Sequence, residues 1–194
     1  MVLSAFAGTP KISLEKQETK ETAKKLSRPA ALEKKVPMDG SDIITSVVEE
    51  FFAEEDWKFQ EVKKGIYRSG VEGKQGSYRI YFFADDDTHI LQIFTIIETN
   101  FAVQHRSLVS EFLTRANYGL KIGNFEMDFD DGSVQYRVSN DFEDGILNTK
   151  IVRRMLYVGI RMMDRYYPGM MEVVWGGKSA KEAIEHVENP IVEE

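Results

Sequence analysis

The sequence predicts an α+β domain: an antiparallel meander sheet plus a β-hairpin packed with helices, in the order α-β-β-β(-β)-α-β-β-α. Apolar residues recur at helical spacing in three long segments, the later two near residues 104–118 and 148–167. Between these segments, apolar and polar residues alternate over short stretches, as they do in half-buried strands. The dipeptide Asp131-Gly132 separates two such stretches and predicts a hairpin turn.

The first helix begins near Ser41, at the start of the folded part of the chain. Its apolar stripe faces a core, and glutamates occupy the opposite side, which is the pattern of an amphipathic helix. Ser41 or Asp39 is the expected N-cap, because each can accept a hydrogen bond from a free amide of the first turn. The stripe consists of Ile43, Ile44, Val47, Val48, Phe51 and Phe52.

Four short strands follow, separated by glycine-containing turns. Tyr78, Ile80 and Phe82 alternate with their neighbours and so share one face of their strand. The segment Ile90–Ile97 is apolar on both faces, which predicts a central strand or one covered twice. The predicted strands are residues 58–63, 66–72, 77–84 and 89–97.

A second helix near 104–118 leads into the hairpin at 123–139. Asp131-Gly132 favours a two-residue type I′ turn, in which both positions have positive φ. That turn sets the register of the two strands and places their apolar residues on one face. The predicted cross-strand pairs are Phe129 with Val134, Met127 with Tyr136 and Phe125 with Val138.

The third helix spans about 148–167 and carries two adjacent apolar rows. A stripe this wide is predicted to bury against a sheet, or against a sheet and a partner. Pro168-Gly169 is predicted to end the helix. A last helix begins at Ser179, where Ser179-Ala180-Lys181-Glu182 has the spacing of a capping box.

Composition and charge divide the 194-residue chain into three parts. Residues 1–40 carry eight Lys/Arg and five Asp/Glu, a charge of +3, and are predicted to form a flexible tail with a transient helix near 14–26. Residues 41–176 form the predicted domain, and residues 177–194 a capped helix and tail. Residues 41–194 carry a charge of −10, which argues against nucleic-acid binding.

The chain has no cysteine, no apolar run long enough to span a bilayer and no recognisable targeting segment. The absence of cysteine excludes disulfides and fits a reducing compartment. We therefore expect a cytoplasmic protein without membrane contact.

Several short segments resemble known functional motifs without matching them. Gly177-Lys178-Ser179 resembles the end of a phosphate-binding loop, but Glu172 stands where that loop requires glycine. The aspartate runs 85–87 and 128–131 lack the spacing of an EF-hand. The three histidines lack a metal-binding spacing, and no G-x-S-x-G motif is present. We predict no catalytic residue, no cofactor and no metal site.

One apolar cluster lies just beyond the predicted end of the third helix. Methionine and tryptophan side chains are typical of adaptable protein-binding surfaces. The alternative is that the same residues close the core beneath the helix. The candidate partner surface consists of Met170, Met171, Val174 and Trp175.

With these elements placed, the chain resembles the YbjN domain family, a bacterial family with a fold like that of type III secretion chaperones. The resemblance covers about residues 41–176. It rests on the pattern N-Y-G-x-x-x-G-N-F-E-M-D-F-D-D-G within 113–138 and on Met163-Asp164-Arg165-Tyr166-Tyr167-Pro168-Gly169. It implies no active site.

The leading hypothesis is a non-catalytic protein-binding domain: a chaperone-like adaptor or regulator that forms a homodimer and binds a protein partner. The alternative is a small-molecule-binding or enzymatic domain with a pocket between sheet and helices, in which Asp85, Asp128 or Glu172 supplies the chemistry. A third option is that the basic tail tethers the domain to an acidic partner.

Overall fold

The computed structural model describes residues 43–189 and confirms the α+β class. Within that range the chain forms four helices and one six-stranded antiparallel sheet. The predicted element order is confirmed, and the strands begin and end within two residues of their expected positions. The elements are α1 Ile43–Glu54, β1 Gln60–Lys63, β2 Ile66–Glu72, β3 Ser77–Asp85, β4 Ile90–Ile97, α2 Val103–Gly119, β5 Asn124–Met127, β6 Val134–Asp141, α3 Thr149–Val174 and α4 Ala180–Glu188. The tail 1–40, its expected helix and the caps Asp39 and Ser41 lie outside the described residues.

The sheet has the strand order β1-β2-β3-β4-β6-β5. Strand β4 is therefore central, paired with β3 on one side and β6 on the other. This position explains why its residues are apolar on both faces. Six of its eight residues are buried, from Leu91 through Ile97 with the exception of Gln92.

The hairpin between β5 and β6 forms with a different register from the predicted one. Phe125 lies opposite Tyr136 and Met127 opposite Val134, a shift of two residues. A two-residue shift keeps every side chain on its face, so the alternation alone does not distinguish the two registers. Among the turn residues only Gly132 has positive φ, +77°, so the type I′ turn does not form.

The wider loop that replaces it is closed by its own hydrogen bonds. Asp128 N–H donates to the Ser133 carbonyl at 3.0 Å, and Gly132 N–H donates to the Asp128 carbonyl at 2.8 Å. Arg106 Nη1 donates to the Phe129 carbonyl at 2.6 Å. Phe129 consequently leaves the sheet and is 54% exposed instead of contributing to the core.

Helix α3 does not end at Pro168-Gly169, and the prediction that it does was wrong. The helix continues to Val174. A proline inside a helix removes one hydrogen bond and crowds the carbonyl four residues earlier. Burial beyond the proline offsets this cost, because Met170 and Val173 are both in the core. Gly169 lets α2 approach closely: a Cβ at this position would lie 2.6 Å from the Phe112 ring.

Helix α1 is capped by a residue far away in sequence. The carboxylate of Asp86, in the turn between β3 and β4, accepts hydrogen bonds from Ile44 N–H at 2.7 Å and Thr45 N–H at 3.0 Å. It also accepts one from the Thr45 hydroxyl. These bonds satisfy amides of the first turn, which have no partner within the helix. The aspartate therefore fixes the helix to the sheet and is not simply part of a solvated turn.

Helices α1, α2 and α3 pack on one face of the sheet, and α4 packs against α2 and α3. The main core contains their buried residues together with the inward residues of the strands, such as Tyr67, Phe82 and Tyr136. A second, smaller cluster of Tyr81, Phe94 and Ile96 lies on the opposite face. The predicted division of β3 into two faces is thus confirmed, and we call these the inner and outer faces.

Candidate functional site

The predicted partner surface lies at the corner between α3 and α4. Trp175 follows the last turn of α3, and its N–H donates to the Met171 carbonyl at 2.9 Å. Gly177 has φ +68°, a conformation that favours glycine, and it lets the chain reverse direction. Lys178 N–H then donates back to the Glu172 carbonyl at 3.3 Å. Two residues after this glycine, Ser179 caps α4.

The four predicted residues do not share one environment. Met170 is fully buried in the main core, so its assignment to a partner surface is corrected. Its side chain points inward because the helix continues past Pro168 and keeps its helical phase. Met171 and Val174 are half-buried against the core, whereas Trp175 is 69% exposed. We call Met171, Val174 and Trp175 the corner patch.

A charged cluster beside the patch holds the corner together. The Glu172 carboxylate lies 2.7 Å from His186 Nδ1 and 3.1 Å from Lys178 Nζ. Burial raises the pKa of Glu172, but hydrogen bonds and charge from His186 and Lys178 outweigh burial and lower the pKa overall. The carboxylate is thus kept ionised and links the end of α3 to His186 in the last turn of α4.

The two ends of α4 are fixed by separate contacts. At its start the predicted capping box is confirmed: Glu182 N–H donates to Ser179 Oγ, and Ser179 N–H donates to the Glu182 carboxylate at 2.9 Å. At its end the Tyr166 hydroxyl donates to the Glu188 carboxylate at 2.9 Å. Hydrogen bonds at the end of α3 and at both ends of α4 therefore fix the backbone on either side of Trp175.

The three carboxylates considered for catalysis are engaged in separate local structures. Asp85 accepts hydrogen bonds from the amides of its own turn at 3.1 and 3.2 Å. Asp128 does the same in the β5–β6 loop at 2.7 Å. Glu172 belongs to the corner cluster. Across residues 43–189, no group of three or more His, Asp or Glu side chains is arranged to hold a metal ion.

Sequence reasoning missed the tertiary roles of Asp86, Lys178 and His186. Each makes its contact with a residue at least six positions away, and Asp86 reaches across more than 40. No local sequence pattern identified Glu172 as the partner of His186.

The chain was also compared with known proteins. A family model, YbjN, described as "Putative bacterial sensory transduction regulator", matches residues 45–172. No curated protein matches the chain. Among solved structures, a chain of the HopA1-SchA chaperone-effector complex is 15% identical, with a TM-score of 0.45; the match covers 66% of this chain and 96% of that one. No helix within residues 43–189 has the length and apolarity required to cross a bilayer.

Proposed function

This chain belongs to the YbjN family, and we propose that it is a cytoplasmic, non-catalytic protein-binding domain: a chaperone-like adaptor or regulator that acts through protein–protein contacts. The corner patch is the proposed contact surface. The description of the family as a regulator supports a role in which binding, rather than turnover, is the output.

The exposure of Trp175 is the observation that carries this proposal. An indole that is 69% exposed leaves a large apolar area in water, and tryptophan is the residue type most enriched among the anchors of protein interfaces. Met171 and Val174 lie in the same last turn of α3 and extend the apolar area. Methionine adapts its shape to different partners.

The proposed partner is a protein segment that places an apolar side chain against Trp175. The fixed backbone of the corner favours such binding, because little conformational entropy is lost when a preordered loop engages a partner. The charged cluster of Glu172, Lys178 and His186 provides a polar rim beside the patch. An apolar centre with a polar rim is the usual anatomy of a protein interface.

We further propose a homodimer that does not use the apolar stripe of α3, the surface that the sequence suggested. The wide apolar stripe of α3 is covered within the chain: Ile151, Val158 and Met162 pack against the main core. The stripe therefore does not require a partner, and a dimer would use another surface. Multi-angle light scattering over a range of concentrations tests this, and a constant monomer mass would remove the homodimer from the proposal.

Affinity capture followed by binary binding tests the corner patch. Proteins captured by the tagged full chain are identified, and the partner is purified and titrated against wild type and Trp175→Ala. We expect Trp175→Ala to weaken binding at least tenfold, roughly the effect of truncating an interface anchor.

Tyr118→Ala is the matched control, because Tyr118 is an aromatic residue at the end of another helix and is 98% exposed. It should bind the partner as wild type does. Equal binding by Trp175→Ala and wild type would contradict the proposed surface, and a purified chain that binds none of its captured proteins directly would contradict the function.

A further inference from the structure

The exposed side of α3 carries a row of four cations and one tyrosine. Lys150, Arg154, Tyr157, Arg161 and Arg165 are spaced at i, i+4, i+7, i+11 and i+15, which places them within one narrow strip of a helix. All five are exposed. We call them the basic row. At 1.5 Å per residue the row is about 22 Å long.

The charge of this helix is opposite to that of the rest of the body. Helix α3 contains five Lys/Arg and two Asp/Glu, a charge of +3, within residues 41–194 that total −10. One of its two carboxylates, Asp164, accepts hydrogen bonds from the Tyr78 hydroxyl at 2.7 Å and Gln75 N–H at 3.1 Å. The other, Glu172, is held in the corner cluster. Neither forms an ion pair with a cation of the row within residues 43–189.

One arginine of α3 outside the basic row is paired with carboxylates. Arg153 forms an ion pair with Glu55 and lies 3.9 Å from the Glu54 carboxylate. By contrast, Lys150, Arg154 and Arg161 have no carboxylate within ion-pair distance among residues 43–189. Arg165 lies over the Tyr166 ring and reaches only the Glu188 carbonyl, at 3.5 Å.

We propose that the basic row binds an acidic protein segment: a helix that presents carboxylates at intervals of three or four residues. Such a helix laid along α3 brings a carboxylate beside each cation, and arginine pairs with carboxylates through two parallel hydrogen bonds. Tyr157, 40% exposed at the centre of the row, adds the aromatic contact that protein interfaces favour. This surface is separate from the corner patch and does not depend on it.

Charge also argues for a protein rather than a nucleic acid or a membrane. A nucleic acid extends beyond the row and meets a body whose net charge is negative, whereas a short acidic helix need not extend beyond the row. Membrane-surface helices pair their cations with large apolar residues that insert into the lipid. The basic row contains one large apolar side chain, that of Tyr157, that could insert into lipid.

The test uses three probes with the full chain. A fluorescein-labelled helical peptide with glutamates at i, i+4, i+7 and i+11 is titrated by anisotropy, with duplex DNA and phosphatidylglycerol vesicles measured in parallel. We expect saturable peptide binding that weakens between about 50 mM and 300 mM NaCl, since exposed charges are screened by salt. The variant Arg154→Glu/Arg161→Glu should weaken peptide binding by about tenfold or more.

The control Lys58→Glu/Lys121→Glu changes the net charge by the same amount at exposed sites outside α3. It should change peptide affinity less than about twofold, because only the location of the charges differs. Equal weakening by the two double variants would overturn the proposal. So would absence of peptide binding, or tighter binding of DNA or vesicles with the same dependence on Arg154 and Arg161.

Discussion

The two faces of the sheet differ in how much each contributes to the fold. The inner face is covered by α1, α2 and α3, and α4 joins the same continuous core by packing against α2 and α3. The outer face has a cluster of three buried residues, Tyr81, Phe94 and Ile96, with Ile66 and Phe83 packed beside it. Arginines flank this cluster, and Arg137 forms a 2.7 Å ion pair with Glu126.

This difference implies a division of roles. Residues of the inner face determine whether the helices dock, so changes there should act on the whole domain. Residues of the outer face mainly stabilise the strands on which they lie. Four predictions test this division, from the largest expected effect to the smallest.

The largest effect is expected from a matched pair of phenylalanines on adjacent strands. Phe82 is fully buried on the inner face, and its ring makes an edge-to-face contact with the Phe52 ring, with 4.9 Å between the ring centroids. Phe94 is 2% exposed on the outer face, and the centroid of its ring lies 5.2 Å from that of Phe83. Phe82→Ala should cost about 3–5 kcal/mol of unfolding free energy, as in a large core. Phe94→Ala should cost about 2 kcal/mol, the value of burying one such side chain.

Urea denaturation of both variants measures the two costs. Equal losses would show that the outer cluster is as tightly coupled to the fold as the main core, and the proposed division would then fail.

The second effect concerns the contact between α3 and the central strand. A Cβ on Gly159 would lie 2.4 Å from Thr95 Oγ1, closer than side chains approach without movement. Gly159→Leu should therefore push α3 from the inner face and cost about 2–3 kcal/mol, after the better helix propensity of leucine is included. Differential scanning calorimetry should show a lower melting temperature. A melting temperature at or above that of wild type would mean that the helix has room to shift.

The third prediction is a loss of stability at high pH that originates on the inner face. Burial raises the pKa of Tyr136 to about 12, and burial together with the Glu188 hydrogen bond raises that of Tyr166 to about 12. In the unfolded chain both titrate near 10. Their stabilising contribution is complete below pH 10 and is lost as the pH rises toward 12, at about 1.4 kcal/mol per pH unit for each tyrosine.

Unfolding free energies measured between pH 8 and about pH 11.5 show this slope. Tyr166→Phe removes one of the four inner-face tyrosines whose pKa is raised, Tyr67, Tyr78, Tyr136 and Tyr166, and should reduce the slope in this window. A slope unchanged by this substitution would contradict the assignment.

Local patterns accounted for most of the fold. Alternation and glycines located the strands, and the S-x-x-E spacing at Ser179 located α4, because these signals depend on neighbouring residues. The errors arose where distant contacts decide the outcome. Burial of Met170 and Val173 carries α3 past Pro168. A register shift of two residues leaves the faces unchanged, so alternation did not reveal it.

The candidate surfaces show the same limit. Residue type and position beyond the predicted helix end marked the cluster near Trp175, but they did not reveal that Met170 points inward, since that depends on where α3 ends. The basic row has regular helical spacing and was visible in principle. Its four cations are unusual because no carboxylate among the described residues pairs with them. The sequence does not show this, since only the packing of α1 beside α3 reveals that Arg153 has a partner and Arg154 does not.

The smallest expected effect is on the outer face, at the Glu126–Arg137 pair. The side chains of Glu126 and Arg137 are 27% and 26% exposed, and Gln135 and Asn124 also donate to the carboxylate, at 2.8 and 3.1 Å. Glu126→Gln keeps the shape but removes the charge. Partly exposed ion pairs contribute little, so the loss should be about 0.5–1 kcal/mol and should shrink in high salt. A loss above about 2 kcal/mol, measured by urea denaturation, would place a fold-determining contact on the outer face.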